Sequence, residues 1–525
     1  MSRKEVCVAI AITLLAFTLR FLGIRLGLPY FHHWDEGWVT ENTASILNMR
    51  DWRPHTYQYG APPSLIAALV VRAATVLAPN HVFDSSDGAL LRLIGRVITI
   101  VISSSGAFAI YVTARFALPG DRGARLRAVY AALLYATASE LITHGRYAAT
   151  DANLVGLTAW SLACGALFVR GARLRWAVGS LFFAALAVAF KLTALPTLVI
   201  PLGLLLIRPP APVVSRAWLL LTLPFVALVF FALNPHVLIH WNDAAASIQT
   251  RVNQTVRGGL PEFLIRNPGM EALGAECHAI LFQAFQRWPW ASVCASGAGL
   301  YGLVLAWSAR SRVVMVGTGQ ALLLLLGFAL TSRAFLFRNY LASIPIVCVG
   351  FGFAMERAHT WMGRWRGAAI AHVALAGAFA ALFLAVPLYQ AVRAEQLSVD
   401  ARTRALDWVA AQPATKPVTV ACTPAVIADV MGSREDLRPT LARPGLVIRK
   451  NDVETAAQAA STHADYILVV SAPDRFGLGD VWPFFDVVGY RLAQEFDCNP
   501  YEHNFAITPP WGGRFNVRVL ERARQ

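Results

Sequence analysis

The sequence predicts an α-helical polytopic membrane protein of about eleven spans, with outer juxtamembrane helices and a small extracytoplasmic α/β domain at its C-terminus. Three observations predict it. Of the 525 residues, 56% are hydrophobic and only 15% charged, too few charges to cover so much apolar surface in water. The apolar residues gather in runs near or above about 18 residues, enough to cross ~30 Å of hydrocarbon as helices. The basic residues fall in short loops that alternate with those runs.

The runs lie at about 6–27, 90–114, 125–142, 152–169, 176–190, 193–207, 217–233, 291–309, 313–331, 338–356 and 368–389. The first is longer than the apolar part of a signal peptide, and no small-x-small site leads from it into a soluble domain, so it reads as an anchor. With Arg3 and Lys4 inside, the inner loops hold Arg115, Arg122, Arg125 and Arg127, then Arg170, Arg173 and Arg175, then Arg208 and Arg216, Arg310 and Arg312, and Arg357, Arg364 and Arg366. The outer side receives 28–89, 143–151, the turn at Lys191, 234–290, 332–337 and everything after 390. The stretch 62–79, PPSLIAALVVRAATVLAP, is short and carries Arg72 in its middle. Counting it as a span would turn every basic loop outward, so it reads as an amphipathic or re-entrant helix on the outer surface, with Pro62 and Pro63 in its first turn.

The membrane part is thus 1–392 and the soluble part 393–525. In the tail, KPVTVAC (416–422), ADYILVVSA (464–472) and FNVRVLER (515–522) read as strands, and ARTRALDWVAAQ (401–412) as a helix. The net charge of +15 does not indicate nucleic acid, because the cations are spread over short loops rather than gathered on one domain. The seven cysteines lack metal-ligand spacing; Cys422 and Cys498 could pair if the tail faces an oxidising compartment.

Four groups of residues on the outer side could carry chemistry. Asp35 and Glu36 follow the first span in FHHWDEGW, with His32 and His33 before them and interfacial tryptophans around them. A carboxylate held at the membrane surface can take a proton from a hydroxyl nucleophile. HGRYAATD places Arg146, Tyr147 and Asp151 in a very short connection. Arg146 suits bidentate contact with a phosphate, while Asp151 can cap the helix starting at Ala152, orient a partner, or do both. Lys191, Arg333 and Arg338 are exceptions to the positive-inside pattern. They pair with carboxylates, snorkel, or hold an anion at the outer leaflet. Arg96 reads as a snorkelling residue. In the loop 234–290, His236, His240, Asp243 and Arg251 are candidates to shape an acceptor groove, without a third ligand for a metal.

In order, these pieces resemble the integral-membrane glycosyltransferases that use polyprenyl-phosphate sugars, the GT-C fold of the protein O-mannosyltransferases and the lipid A aminoarabinose transferase. The resemblance covers about residues 1–390. It rests on Asp35-Glu36 in the first outer loop, GAPPSLIAAL (60–69), GRYAATD (145–151) and RNYLASIP (338–345) with Arg338 and Tyr340. It implies a polyprenyl-phosphate-linked sugar as donor, a lipid, glycan or protein acceptor, and a place in the cell's inner (plasma) membrane. Asp35 would be the general base, with Glu36 orienting or binding the acceptor and Lys191, Arg338 and Arg146 at the leaving phosphate. His32, His33, Tyr147, Asp151, Arg333 and Tyr340 would line the substrates. Some relatives hold a divalent metal at the first-loop acid; nothing in this sequence demands a cofactor. A transporter or flippase predicts symmetric halves and charges within spans, and an envelope assembly protein would leave the acidic loop dispensable. The sequence has no internal repeat.

Overall fold

The computed structural model describes every residue except 29–33, 49–56, 58–59, 78–87, 119–122, 208–216, 258–266, 287, 334–336, 366, 397–398, 400, 424–427, 430–431, 434–442, 451–452, 454, 471, 474–479, 482–485, 497–516 and 524–525; for some others, Trp34 and Asp35 among them, the backbone alone is described. The helices run α1 (Arg3–Phe21), α2 (Trp34–Asn48), α3 (Pro62–Leu77), α4 (Gly88–Phe116), α5 (Ala124–Thr137), α6 (Ser139–Gly145) and α7 (Thr150–Gly171). Next come α8 (Leu174–Phe190), a 3₁₀ helix (Leu192–Leu198), α9 (Val199–Ile207), α10 (Ala217–Leu233), α11 (Pro235–Ile239), α12 (Trp241–Arg257) and α13 (Met270–Phe282). Then follow α14 (Pro289–Ser308), α15 (Arg312–Thr331), a second 3₁₀ helix (Phe337–Ser343), α16 (Ile344–Met362), α17 (Ala368–Ala380), α18 (Val386–Gln396) and α19 (Ala401–Ala410).

The architecture is the expected helical, polytopic body with a small α/β tail. Six stretches among the described residues are long and apolar enough to cross a membrane: Gly88–Phe116, Thr150–Gly171, Pro289–Ser308, Arg312–Thr331, Arg338–Met362 and Ala368–Ala410. The other five expected runs hold shorter or more charged helices. Those at 6–27 and 125–142 are α1, of 19 residues with charges at both ends, and α5, of 14. Those near 176–190, 193–207 and 217–233 are shorter apolar helices, as is α3. The count of eleven is therefore met at full length by six.

Local chemistry sets several starts. Ser2 accepts from the Glu5 N–H while the Glu5 carboxylate accepts from the Ser2 N–H, a reciprocal cap on α1. Proline stands in the first turn of α3, α14 and α16, where its missing N–H has no partner to lose. Where α14 crosses α16, a Cβ on Gly302 would lie 1.7 Å from the Gly350 carbonyl oxygen, so only small residues allow these backbones to approach.

Charges tie the ends expected on the inner side into one cluster. Glu5 of α1 accepts from Arg115 of α4 at 2.8 Å and Arg125 of α5 at 2.9 Å, and Arg127 of α5 pairs with Glu356 of α16 at 2.9 Å. The opposite end of the bundle holds the candidate site.

In the tail, β1 (Val418–Cys422), β2 (Leu446–Lys450), β3 (Tyr466–Val470), β4 (Tyr490–Phe496) and β5 (Val517–Arg522) form one sheet. Its order is β2-β1-β3-β5-β4. The first three strands are parallel and the last two antiparallel to their neighbours. Helix α19 covers one face, burying Ala405, Leu406 and Val409 on Val420, Leu468 and Val519. Cys422 is a free, buried thiol in that core, and Cys498 lies outside the described residues.

Candidate functional site

The first half of the site is built on Glu36. It stands in the first turn of α2 and is fully buried. Arg96 of α4 grips it with both prongs: Nε donates to Oε1 at 2.6 Å and Nη2 to Oε2 at 2.8 Å. The third Arg96 nitrogen donates to the Ile24 and Leu26 carbonyls just past α1. The backbone N–H of Ala148 donates to Glu36 Oε1 at 3.0 Å, and the Tyr147 ring lies 5.9 Å from the Arg96 guanidinium carbon. The expectation that Arg96 snorkels is therefore corrected. A buried carboxylate stands in the way, so the guanidinium stays inside and pairs with it.

The second half is built on Asp151, also fully buried. The sequence left open a cap for a helix starting at Ala152, a partner to orient, or both. Helix α7 starts at Thr150 with Ala149 as its N-cap, which puts Asp151 inside the first turn. Its carboxylate turns to Lys191, whose Nζ donates to Oδ1 at 2.6 Å, and Arg338 Nε stands 3.9 Å from Oδ2. Lys191 also donates to Asn339 Oδ1 at 3.2 Å. It occupies the break between α8 and the first 3₁₀ helix, where its backbone is extended. Pro196 lies inside that 3₁₀ helix and has no N–H for the carbonyl four residues back, so the α-helix cannot run through.

The connection 145–151 joins the two halves. Ala148 touches Glu36, Asp151 holds Lys191, and Arg146 donates to the Leu19 carbonyl at 3.0 Å. Arg146 Nε and Nη1 have no hydrogen-bond partner among the described residues although the side chain is buried. Arg20 lies beside it, buried as well, and among the described residues donates only to the carbonyls of Ala16, Tyr135 and Ala136. Carbonyl dipoles stabilise a buried cation without cancelling its charge.

The start of α3 is latched to the same place. Gly60 N–H donates to the Phe190 carbonyl, and a Cβ there would lie 1.7 Å from the Ala189 oxygen. Buried Asn234 accepts from Ala61 N–H at 2.7 Å and donates to the Ala189 and Phe230 carbonyls.

Of the expected site residues, Glu36, Arg146, Tyr147, Asp151, Lys191, Arg338 and Tyr340 are thus buried at one end of the bundle. Asp35 is on the backbone of the first turn of α2, beside Glu36, with its side chain outside the described ones; His32 and His33 lie outside the described residues. Arg333 stays exposed after α15. In the loop 234–290, His236 is buried against Tyr57 and burial pulls its imidazole down to about 4, whereas Asp243 is exposed. No group of three metal-ligating side chains gathers among the described residues.

No family model and no curated protein matches the sequence. Solved structures do resemble it. ArnT from Cupriavidus metallidurans bound to undecaprenyl phosphate is similar at a TM-score of 0.46 and 16% identity, covering 78% of this chain and 72% of that one. The Archaeoglobus fulgidus oligosaccharyltransferase in complex with zinc and sulfate is similar at 0.46 and 12%, covering 88% and 67%. The archaeal oligosaccharyltransferase AglB from the same organism, in complex with an inhibitory peptide and a dolichol-phosphate, is similar at 0.46 and 12%, covering 89% and 69%.

Sequence reasoning missed Arg96 as a partner, and also Asn234 and Asn339. The GAPPS turn was the one signal that could have led to Asn234, since a turn against a helix end needs an acceptor for its N–H groups.

Proposed function

We propose that the chain is a membrane glycosyltransferase that moves a sugar from a polyprenyl-phosphate donor to an acceptor hydroxyl on the extracytoplasmic face, with inversion. One observation carries this reading. A single short turn, 145–151, brings together buried Arg146, the Asp151–Lys191–Arg338 group and the backbone N–H that holds Glu36. Cations outnumber carboxylates there among the described residues, which suits a substrate that brings its own phosphate.

In this mechanism Asp35 takes the proton of the acceptor hydroxyl. The oxygen attacks the anomeric carbon, the bond from that carbon to the phosphate oxygen breaks, and polyprenyl phosphate leaves with the bonding pair. A single displacement inverts the anomeric centre. Lys191, Arg338 and Arg146 sit where the leaving phosphate gathers charge. Glu36, with both oxygens engaged, is a positioning residue that fixes the first turn of α2, and so the backbone of Asp35. The acceptor is a hydroxyl of a lipid, glycan or protein.

The test is sugar transfer in proteoliposomes from a panel of polyprenyl-phosphate sugars. Asp35→Asn is expected to lower turnover by roughly 10²-fold or more, as loss of a general base does. Wild-type turnover in that variant would sink the assignment.

A further inference from the structure

Glu276 lies on α13 and is fully buried. Helix α13 packs on α14, α15 and the Phe337–Ser343 turn. Neither Glu276 oxygen has a well-aligned hydrogen bond or an ion-pair partner among the described residues. The Tyr340 hydroxyl interacts with the carboxyl. That phenol is itself buried and packed edge-on against Phe328 of α15, with ring centroids 5.5 Å apart. One and two residues before Tyr340 stand Asn339 and Arg338, which contact Lys191 and Asp151. Helix α13 is therefore linked to the buried charges through one phenol and one turn.

We propose that Glu276 is a positioning residue for the reaction: through Tyr340 it holds the Phe337–Ser343 turn, and with it Arg338 and Asn339, against the Asp151–Lys191 pair. The inference rests on the glycosyltransferase reading and adds a control to it. Burial pushes the Glu276 carboxyl up to about 7, against the smaller opposite pull of the Tyr340 hydroxyl. The other ionisable groups on the elements packed against α13 are few. They are Arg338 on the turn, Cys294 and Tyr301 on α14, and Arg312 at the start of α15; on α13 itself Cys277 adjoins the carboxyl. Neutral, Glu276 fits its apolar site. Ionised, it is a charge without a cation among the described residues, and α13 separates from the turn to let water in.

The sign follows. Turnover is full below the Glu276 titration and falls as pH rises through it. The expected alkaline limb is a loss of roughly 20-fold in kcat from pH 6.5 to 8.5, the ratio of protonated fractions for a group at about 7. The KM for donor changes much less, because the affected cations act on the leaving group. Glu276→Gln, neutral at every pH, is expected to flatten this limb. Tyr340→Phe removes the phenol through which Glu276 acts and is expected to flatten the same limb, with Glu276 still present to titrate. The assay is transfer from a polyprenyl-phosphate sugar by the full chain in proteoliposomes, across pH 5.5–9. If the wild type turns over and Glu276→Gln keeps the alkaline limb, the positioning role is overturned while the glycosyltransferase reading stands. If the wild type transfers no sugar from any polyprenyl-phosphate donor, the reading falls and takes this inference with it. Should Glu276→Gln fail to fold, Tyr340→Phe decides alone, and a retained limb overturns the proposal.

Discussion

Replacing Arg96 by methionine is the sharpest test of how the site is held. Arg96 donates twice to Glu36, at 2.6 and 2.8 Å, and twice more to the carbonyls of Ile24 and Leu26, with all partners buried. Methionine fills much of the volume and supplies none of these bonds. Glu36 keeps the Ala148 N–H but loses its cation, and two carbonyls past α1 lose a donor. Breaking one side of a buried ion pair is strongly destabilising, about 3–5 kcal/mol, because a charge is left behind in low dielectric. That is a large share of an ordinary folding free energy of roughly 5–15 kcal/mol. Thermal unfolding in detergent, followed by tryptophan fluorescence, reads the effect; the expected result is a midpoint lowered by several degrees. Glu36→Gln with Arg96→Met removes charge from both sides and is expected to recover part of the loss, with a coupling of about 2 kcal/mol in a double-mutant cycle. Additivity within about 0.5 kcal/mol would refute the claim that these residues act as a pair.

Two further predictions follow the same logic. Arg146→Met removes a buried cation that, among the described residues, donates only to a carbonyl, so the ligand-free protein is expected to unfold at an unchanged or higher temperature. Saturating undecaprenyl phosphate should stabilise the wild type, by about 2.7 kcal/mol at 100 times Kd, and stabilise the variant less; equal ligand-induced shifts would remove Arg146 from the phosphate site. Gly60→Ala drives a methyl into the Ala189 carbonyl, 1.7 Å from the ideal Cβ, so the turn must leave the end of α8; impaired transfer is expected, and full activity would show that this latch is dispensable.

Apolar runs declared the body of the fold because a buried helix needs little beyond length and hydrophobicity, and both are local. The tail strands were legible for a similar reason: VTVAC, YILVV and VRVLER are β-branched or alternating runs, and each forms the expected strand. What failed was partnership over distance. Arg96 in RLIGRVITI has no acid within its own helix, so snorkelling is the economical reading; its partner is 60 residues earlier. Asp151 at a helix start looks like a cap until Lys191, 40 residues on, claims the carboxylate. Glu276 in GAECHA carries no local mark at all, since only the packing of α13 against Tyr340 makes it unusual. The division expected at Lys191 is present: α8, the following 3₁₀ segment and α9 split one apolar stretch there, and each piece is short.

That division has a use. An unbroken helix through 174–207 would have buried Lys191 within its own wall or pointed it to lipid. The break gives the ammonium an extended backbone and lets it reach Asp151 and Asn339 from the end of α8. Gly60 and Asn234 fasten the start of α3 to the carbonyls exposed by the same break. Carbonyls left orphaned when the helix stops thus become acceptors for the next element, so one interruption both presents the cation and anchors the α3 turn beside it. A cation of this kind is expensive without an anion near it, and Asp151 offsets one charge. Arg20 and Arg146, beside the turn that carries Asp151, are bonded to carbonyls alone among the described residues. Residual positive charge next to a helix break is the electrostatic state that a lipid phosphate would neutralise.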